Sequence, residues 1–394
     1  MRKICLYLHV HQPLRLKNLS IFDISYGNPH TLSHYIDEKT NEKVFNKVAQ
    51  KSYLPANTIF KRLLEKNEKF KINLSITGTL IEQAKKSNLN VLDSFAKLTK
   101  TGKAEILAET YYHTLASLYS QAEFKSQVKL HAKLIKKIFN QTPISFRNTE
   151  LIYSDWIAQM VEDMGYKNII TEGHEKFLHW KSPNYLYTSN TKKGMNLLLK
   201  NYKLSDDIAW RFSNKGWGEY PLTAEKYLHW LDFTPGDTIN LFMDFETLGE
   251  HQWADTGIFN FLESFVNLAT KNGYEFINIK ESGKKLKTVG HMTIDQVISW
   301  ADEERDTSAW NENSMQKDTL EKIYSLEKSI KQKKNKSLLK LWRIMQTSDH
   351  FYYMCTKWFN DGDAHKYFSP YGTPHQAYCN FSNSLISLNQ IVRR

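Results

Sequence analysis

Cysteine is scarce in the 394-residue sequence, which contains only Cys5, Cys355 and Cys379. The three residues are far apart, odd in number and without a CxxC spacing, so neither a disulfide framework nor a zinc cluster is indicated. Unpaired thiols suit a reducing compartment. We therefore expect a cytoplasmic protein.

Long apolar runs are also missing. No stretch of about 18 or more apolar residues occurs, so no transmembrane helix is predicted. The first residues, MRKICLYLHVHQP, have the basic start of a signal peptide, but His9 and His11 interrupt the apolar run and no small-residue cleavage site follows. The sequence predicts no membrane partner.

Motifs for nucleic-acid and nucleotide binding are absent as well. The formal net charge of +11 comes largely from basic runs such as 282–287 and 331–340. No zinc-finger, RNP or helix-turn-helix pattern lies near them, so the runs are interpreted as solvated surface. No GxGxxG or GxxxxGK[ST] loop follows any apolar segment either. Nucleic acid is not an expected partner.

What the sequence does contain is an alternation of short apolar segments with longer amphipathic ones over the first 250 residues. The amphipathic segments predict helices, for example over 57–68, 90–102, 124–140 and 154–166. This alternation is typical of parallel strands in an open sheet or a barrel, and seven units favour a barrel. Seven strands are predicted, over Ile4–His9, Lys71–Thr77, Glu105–Glu109, Ser145–Thr149, Asn168–Thr171, Asn196–Lys200 and Ile239–Phe245.

The pattern changes after about residue 285. From there the chain is nearly all of helical pattern, over 294–305, 317–334, 337–359 and 374–392. We expect a catalytic barrel in residues 1–285 and a helical domain in residues 286–394 that contributes to the active site. No repeats or low-complexity linker separate the two parts, so they are expected to share an interface.

Polar residues gather where the predicted strands end, which is where barrel enzymes place their chemistry. They are His9, His11, Glu109, Glu150, Glu172 and Asp244. A carboxylate at a strand end often only caps the following helix. Two of them together would suit glycoside hydrolysis, which needs one carboxyl group as an anion and another that stays protonated near neutral pH.

The segment HVHQP places His9 and His11 on the same side of a strand, because side chains alternate along it. Three interpretations stay open from this spacing. The histidines could hold sugar hydroxyls, they could bind a metal ion, or they could be hydrogen-bonded side chains with no ligand.

Five ordered segments resemble glycoside hydrolase family 57, and most closely its α-amylase-like branch. They are HVHQP at His9, GKAEILAETYYH at Gly102, FRNTELIY at Phe146, MDFETLGEHQ at Met243 and SWADEERDTSAW at Ser299. The resemblance continues through LSDDIAWRF, EYPLTAEKY and MQTSDHFYYM with DGDAHKYFSPY, and so covers nearly the whole chain.

The resemblance implies an α/β fold with an incomplete (β/α)7 barrel followed by a C-terminal helical bundle. It implies a retaining enzyme that cleaves α-1,4-glucans of the glycogen or starch type without a metal or other cofactor. Glu150 matches the nucleophile and Asp244 the general acid/base. The predicted substrate-binding residues are His9, His11, Gln12, Glu109, Trp253, Asp302, Asp306 and Trp310.

One segment departs from the family pattern. After Trp310 the branch usually continues with Leu-Gly-Asn, whereas this chain has Asn311, Glu312 and Asn313. Loss of a glycine at a turn beside the site changes the local backbone. Alternatives to hydrolysis are a 4-α-glucanotransferase with the same catalytic pair, a metal-dependent carbohydrate deacetylase, and a glucan-binding protein with little turnover.

Overall fold

The computed structural model of the protein describes residues 2–24, 32–357 and 369–393. Part of the DGDAHKYFSPY segment, residues 361–368, lies outside them. Among the described helices, none combines the length and the apolar character that crossing a bilayer requires.

Within the residues that the structure describes, ten strands lie among the helices. The strands are β1 Lys3–Val10, β2 Ile72–Ile76, β3 Ala104–Ile106, β4 Ser145–Arg147, β5 Asn168–Glu172, β6 Leu186–Ser189, β7 Asn196–Lys200, β8 Thr238–Asp244, β9 Glu275–Phe276 and β10 Thr288–Met292. The seven predicted strands correspond to β1–β5, β7 and β8, and each is confirmed, although β3 and β4 are shorter than predicted.

Helices flank the strands and then make up the end of the chain. In the first part they are α1 Leu32–Tyr35, α2 Glu38–Val48, α3 Leu54–Lys66, α4 Gly78–Ser87, α5 Leu89–Lys100, α6 Ala116–Tyr119, α7 Gln121–Phe139, α8 Asp155–Asp163, α9 Glu175–Leu178, α10 Tyr202–Ala209, α11 Ala224–Phe233, α12 Ile258–Lys271 and α13 Ser282–Lys285. The C-terminal helices are α14 Ser308–Asn311, α15 Ser314–Ser325, α16 Glu327–Gln332, α17 Lys336–Ile344, α18 Ser348–Tyr352 and α19 Pro374–Arg393.

The predicted helices over 57–68, 90–102, 124–140 and 154–166 are confirmed by α3, α5, α7 and α8. The helix predicted over 294–305 is wrong. That segment instead pairs with the chain after β4, through two backbone hydrogen bonds of 2.9 Å between Tyr153 and Ile298. Tertiary pairing overrides the helical spacing there, because it satisfies the same backbone groups.

The strands form two sheets in the orders β3-β2-β1-β8 and β10-β6-β7-β5-β4, with β9 pairing the start of β1. All pairs are parallel except β6 with β7. Ala108, after β3, bridges to Phe146 of β4, and the Asn201 amide after β7 donates to the Asn240 carbonyl of β8 at 2.9 Å. Both edge strands of the first sheet, β3 and β8, are thereby joined to the second sheet. The carboxyl ends of β1–β5, β7 and β8 point toward one rim.

Both faces of the seven predicted strands are buried, as the near-continuous apolar runs of parallel strands require, whereas β10 is mostly exposed. In β1, Ile4, Leu6 and Leu8 pack outward against helices. The alternate residues Cys5 and Tyr7 lie inside, with partners such as Ile170, Leu198 and Phe242 from other strands. This inner cluster closes the space below the rim, and the next inward residue of β1 is His9.

Candidate active site

The rim above the inner cluster brings several polar side chains together. His9 is the residue of β1 that pairs in register with Asp244, the last residue of β8. Its Nδ1 lies 3.5 Å from Asp244 Oδ1, and its Nε2 lies 3.2 Å from Glu109 Oε2. Parallel pairing of β1 with β8 therefore sets His9 between two of the predicted site carboxylates.

Glu150 reaches the same rim from an unusual backbone conformation. It follows β4 and has φ 55° and ψ 29°, and Leu151 after it has φ 49°. Left-handed conformations are rare for residues with a side chain, and they concentrate at functional sites where the surroundings enforce them.

Both oxygens of the Glu150 carboxylate accept hydrogen bonds. Trp300 Nε1 donates to Oε2 at 2.8 Å, and Ser348 Oγ donates to Oε1 at 3.3 Å. The Trp300 amide also donates to the Glu150 carbonyl at 3.2 Å. The loop before α14 and the helix α18 thus hold this side chain from two directions.

Three histidine rings are stacked beside the carboxylates. His113 lies between the other two, with its ring centroid 4.1 Å from that of His11 and 4.9 Å from that of His9. His11 is held by Thr77 Oγ1 at Nδ1 and by Asp349 Oδ2 at Nε2, both at 3.0 Å. His113, like Glu150, has a positive φ, of 53°.

Arg147 fixes the proton on His113. Its guanidinium is fully buried, and Nη1 lies 3.0 Å from Nε2 of His113. A guanidinium only donates, so Nε2 accepts and the neutral ring carries its proton on Nδ1. That nitrogen lies 3.0 Å from Ser348 Oγ. A chain of hydrogen bonds therefore runs from Arg147 through His113 and Ser348 to Glu150.

Two groups of side chains are close enough to hold a metal ion: His9, Glu109 and His113, and His11, His113 and Asp349. Both depend on His113. Each of its nitrogens is engaged, Nε2 with the Arg147 guanidinium and Nδ1 with Ser348, so neither offers a free lone pair to a metal. The hydrogen bonds disfavour the metal-binding interpretation and, with it, the deacetylase alternative.

Burial sets the ionisation of the rim. It raises the pKa of Glu150 to about 7, against the opposing effects of Arg147 and the Trp300 N–H. Burial also raises the pKa of Asp244, which His251 and Arg147 partly offset. For the histidines burial acts in the other direction, lowering the pKa of His9 to about 3 and that of His113 well below its ordinary value.

The pKa of Asp349, which contacts His11, is shifted in the opposite direction from those of Glu150 and Asp244. Burial would raise the pKa of Asp349, but His11 and His113 outweigh it and hold that pKa well below its usual range. The rim therefore contains neutral His9 and His113, an anionic Asp349, and two carboxyl groups that titrate above their ordinary range.

The remaining predicted residues lie around this centre. Gln12 is buried beside Tyr53, whose hydroxyl donates to Glu246. The Asp302 carboxylate lies 3.4 Å from the Lys357 ammonium. Asp306 accepts from the Ser308 amide at 2.8 Å, as a turn-capping side chain does.

The two predicted tryptophans differ in exposure. Trp253 is 53% exposed, whereas Trp310 is 1% exposed and packs near Tyr352. Asn313, which follows the altered residues Asn311 and Glu312, caps α15 by accepting from the Gln316 amide at 2.9 Å. The substrate-binding roles of all eight predicted residues stay predictions.

Sequence reasoning missed His113, Arg147, Trp300, Ser348 and Asp349 as site residues. Each lies within a motif or segment that carried the family resemblance, such as FRNTELIY for Arg147 and MQTSDHFYYM for Ser348 and Asp349. A polar residue inside such a segment was the available signal. Spacing could not show which of them point to the rim.

Known proteins share sequence and fold with this chain. The sequence profile described as glycosyl hydrolase family 57 matches residues 5–295. A relative from Methanocaldococcus jannaschii with the name "Putative alpha-amylase" is 44% identical over 396 residues, covering 98% of this chain and 83% of the relative.

Solved structures share the fold at low identity. The α-amylase AmyC from Thermotoga maritima has a TM-score of 0.65 at 16% identity, covering 100% of this chain and 94% of that one. A branching enzyme from Pyrococcus horikoshii has a TM-score of 0.69 at 15% identity, covering 93% and 87%. A 4-α-glucanotransferase from Thermococcus litoralis has a TM-score of 0.67 at 15% identity, covering 89% of this chain, which spans 56% of that enzyme.

Proposed function

The chain belongs to glycosyl hydrolase family 57, and on that premise we propose that it is a retaining enzyme that cleaves α-1,4-glucosidic bonds in glycogen- or starch-type glucans. Glu150 is the nucleophile and Asp244 the general acid/base. The observation that carries the proposal is the Glu150 carboxylate, which has a donor on each oxygen and lies 3.8 Å from His113. His113 is stacked on His9, which contacts Asp244.

In the first step a Glu150 oxygen attacks the anomeric carbon while the glycosidic carbon–oxygen bond breaks. Asp244 gives its proton to the departing oxygen. In the second step a water or sugar hydroxyl attacks the same carbon, the bond to Glu150 breaks, and the proton of the attacking group passes to Asp244. Each carboxyl group thereby returns to its starting state.

Burial raises the pKa of both carboxyl groups, so the other contacts distinguish their roles. Donors on both oxygens of Glu150 oppose the effect of burial and favour its anion, which is the attacking form. Burial of Asp244 favours its protonated form. The charge of Asp244 is one of the effects that raise the pKa of Glu150. The productive state is the one in which Asp244 holds a proton and Glu150 does not.

His9, His11 and Glu109 bind hydroxyls of the sugar at the cleavage point in this proposal. Burial keeps His9 neutral, and a neutral imidazole offers one donor and one acceptor to a hydroxyl. The pair of donor and acceptor suits hydroxyl groups better than a charged ring, which could only donate.

We favour hydrolysis over transfer, because the 44% identical relative has an amylase name. Transfer to a second glucan by the same pair is the alternative, together with a glucan-binding role of little turnover.

We also propose a division of the chain into a catalytic barrel, 1–285, and a helical domain, 286–394. It is supported by Ser348 and Asp349, which α18 brings to the rim. A cytoplasmic location is proposed from the scarcity of cysteine.

The test is the product profile from maltoheptaose with the wild-type protein and with Glu150→Gln. We expect shorter oligosaccharides from the wild type and none from the variant, because the amide cannot attack. Products both shorter and longer than maltoheptaose would favour the transferase. Products from neither protein would contradict the proposal.

Glu105→Gln is the matched control. Glu105 is also a buried strand glutamate, but it lies on β3 below the rim, where its carboxylate accepts from the Ser145 hydroxyl and the Lys280 amide. This variant should keep its turnover. Equal loss in both variants would mean that Glu150 acts on the fold and not on the chemistry.

A further inference from the structure

Helix α10 packs beside β8. It starts directly after β7, and Ser205 on it accepts a hydrogen bond from the Phe242 amide of β8 at 3.2 Å. The helix runs beside β8 and ends at Trp210, next to the loop that follows Asp244. Gln252 of that loop donates to the Ala209 carbonyl at 2.8 Å. The end of α10 and the loop after the proposed acid/base are thus joined.

Trp210 is 53% exposed at this junction. Its ring is stacked on His251, with centroids 5.5 Å apart and planes 12° apart. One face of the indole is therefore held by the protein, and the exposed part lies on the other side. A large aromatic ring that is fixed in this way costs little conformational entropy when it binds a ligand.

A second exposed tryptophan lies two residues beyond His251. Trp253 is also 53% exposed, and the Lys51 ammonium lies 4.6 Å from its ring centroid. Exposed indoles with a supported face present an apolar surface of the kind that packs against the apolar face of a sugar ring.

The position of Trp210 and Trp253 relative to Asp244 determines which part of a glucan chain their rings would contact. The His251 amide donates to the carbonyl of Glu246 at 2.9 Å, so His251 lies beside the chain only two residues after Asp244. A general acid/base contacts the oxygen of the leaving group, so sugar units on its outer side belong to the leaving or accepting chain.

We propose that Trp210 and Trp253 form an acceptor subsite that binds the glucose units of the leaving or incoming α-glucan chain by ring stacking. The inference rests on the proposed function, because the role of Asp244 identifies the side of the cleaved bond. It adds to that function a residue, Trp210, and a binding site outside the histidine-lined rim.

The first experiment measures binding without turnover. Maltoheptaose is titrated by calorimetry into the full-length Glu150→Gln protein, alone and combined with Trp210→Ala, Trp253→Ala or Trp210→Phe. Each alanine variant should bind about tenfold more weakly, because the stacked ring is lost. Trp210→Phe keeps a ring and should restore most of the affinity. Unchanged affinity in both alanine variants would overturn the subsite.

Phe233→Ala is the control. Phe233 is 76% exposed at the end of α11, and β8 begins only five residues later at Thr238, so it lies toward the opposite end of the strand from Asp244. Its removal should leave affinity unchanged. If Glu150→Gln does not bind maltoheptaose at all, the glucan ligand class is wrong and the inference falls.

Kinetics separate this inference from the proposed activity. In the wild-type background, Trp210→Ala should lower kcat/KM for maltoheptaose about tenfold more than for an aryl α-glucoside, whose leaving group has no further sugar units to stack. An equal loss for both substrates would contradict the subsite. Binding that depends on Trp210, in a protein that yields no products from maltoheptaose, would remove the proposed activity and keep the subsite.

Discussion

At the scale of single residues, the surroundings of Glu150 affect the pKa of its carboxyl group in opposite directions. Burial favours its neutral form, while Arg147 and the Trp300 N–H favour the anion, and the resulting pKa is about 7. Trp300 also contacts two cations. Its ring lies 5.1 Å from the Arg147 guanidinium carbon and 5.4 Å from the Lys200 ammonium, so two buried cations face the indole that donates to Glu150.

Activity should therefore decline as the pH falls through about 7, since protonated Glu150 cannot attack. Trp300→Phe removes a donor to the anion and raises the pKa further, so the decline should begin at a pH higher by about one unit. The measurement is the pH dependence of kcat/KM with an aryl α-glucoside.

Trp310→Phe is the comparison, because Trp310 is also a buried indole but its Nε1 has no hydrogen-bond partner in the described structure. It should leave the position of the acid limb unchanged, whatever its effect on the rate. An acid limb that stays in place in Trp300→Phe would show that its indole does not set the ionisation of the nucleophile.

At the scale of elements, the loop between β8 and α12 shows how the backbone positions the site. It carries Glu246, His251 and Trp253 between Asp244 and α12. Gly249 in this loop has φ 106°, and a Cβ there would lie 2.0 Å from the Lys51 carbonyl oxygen. The loop can lie this close to the chain before α3 only because the residue has no side chain.

Gly249→Ala should destabilise the protein by about 3 kcal/mol, since it combines a left-handed backbone with a direct clash. It should also lower kcat, because a displaced loop moves the groups beside Asp244. Thermal unfolding and turnover of maltoheptaose measure the two effects.

Gly257→Ala is a close match within the same loop. Gly257 has φ 86°, but nothing lies within 4 Å of the position of its Cβ, so only the backbone term of about 1 kcal/mol remains. Equal destabilisation of the two variants would show that the contact with Lys51 is not what requires glycine at 249.

At the scale of the whole molecule, the C-terminal helices complete the rim. α18 supplies Ser348 to Glu150 and Asp349 to His11, and α17 before it is tied to α7. The tie is Glu123, a fully buried carboxylate that lies 2.6 Å from Arg343 Nε and 3.0 Å from Lys331 Nζ. One buried anion between two cations thus fixes the helices that reach the site.

Glu123→Gln should cost about 3 kcal/mol of unfolding free energy, because it leaves cations without their buried counter-charge. Activity should fall with it, since α18 loses its fixed position. Urea denaturation and kcat are the measurements.

Glu327→Gln serves as the reference. Glu327 pairs with Lys331 at 2.5 Å across one helical turn, with 21% of its side chain exposed, and its loss should cost less than about 1 kcal/mol. If Glu123→Gln lowered the free energy of unfolding by less than Glu327→Gln does, Glu123 would not be the residue that fixes α17 against α7.

How much the sequence could predict differs between the fold and the site. The seven strands predicted from short apolar runs are all confirmed. Burial on both faces of a strand produces a strong local pattern in the sequence. The segment over 294–305 has helical spacing, yet it pairs with Tyr153, because a distant partner satisfied its backbone groups. A local pattern cannot report such a partner.

The sequence by itself determined the order of seven strands and of the helices between them, the family, and the choice of Glu150 and Asp244 as candidate catalytic carboxylates. It did not predict β6, β9 and β10. Tertiary structure alone decided which other side chains meet them: His113 and Arg147 from the middle of the chain, and Trp300, Ser348 and Asp349 from its end. The reason is physical. Hydrogen bonds and stacking act over a few ångströms, and only closure of the sheets and docking of the C-terminal helices bring these distant residues within that range.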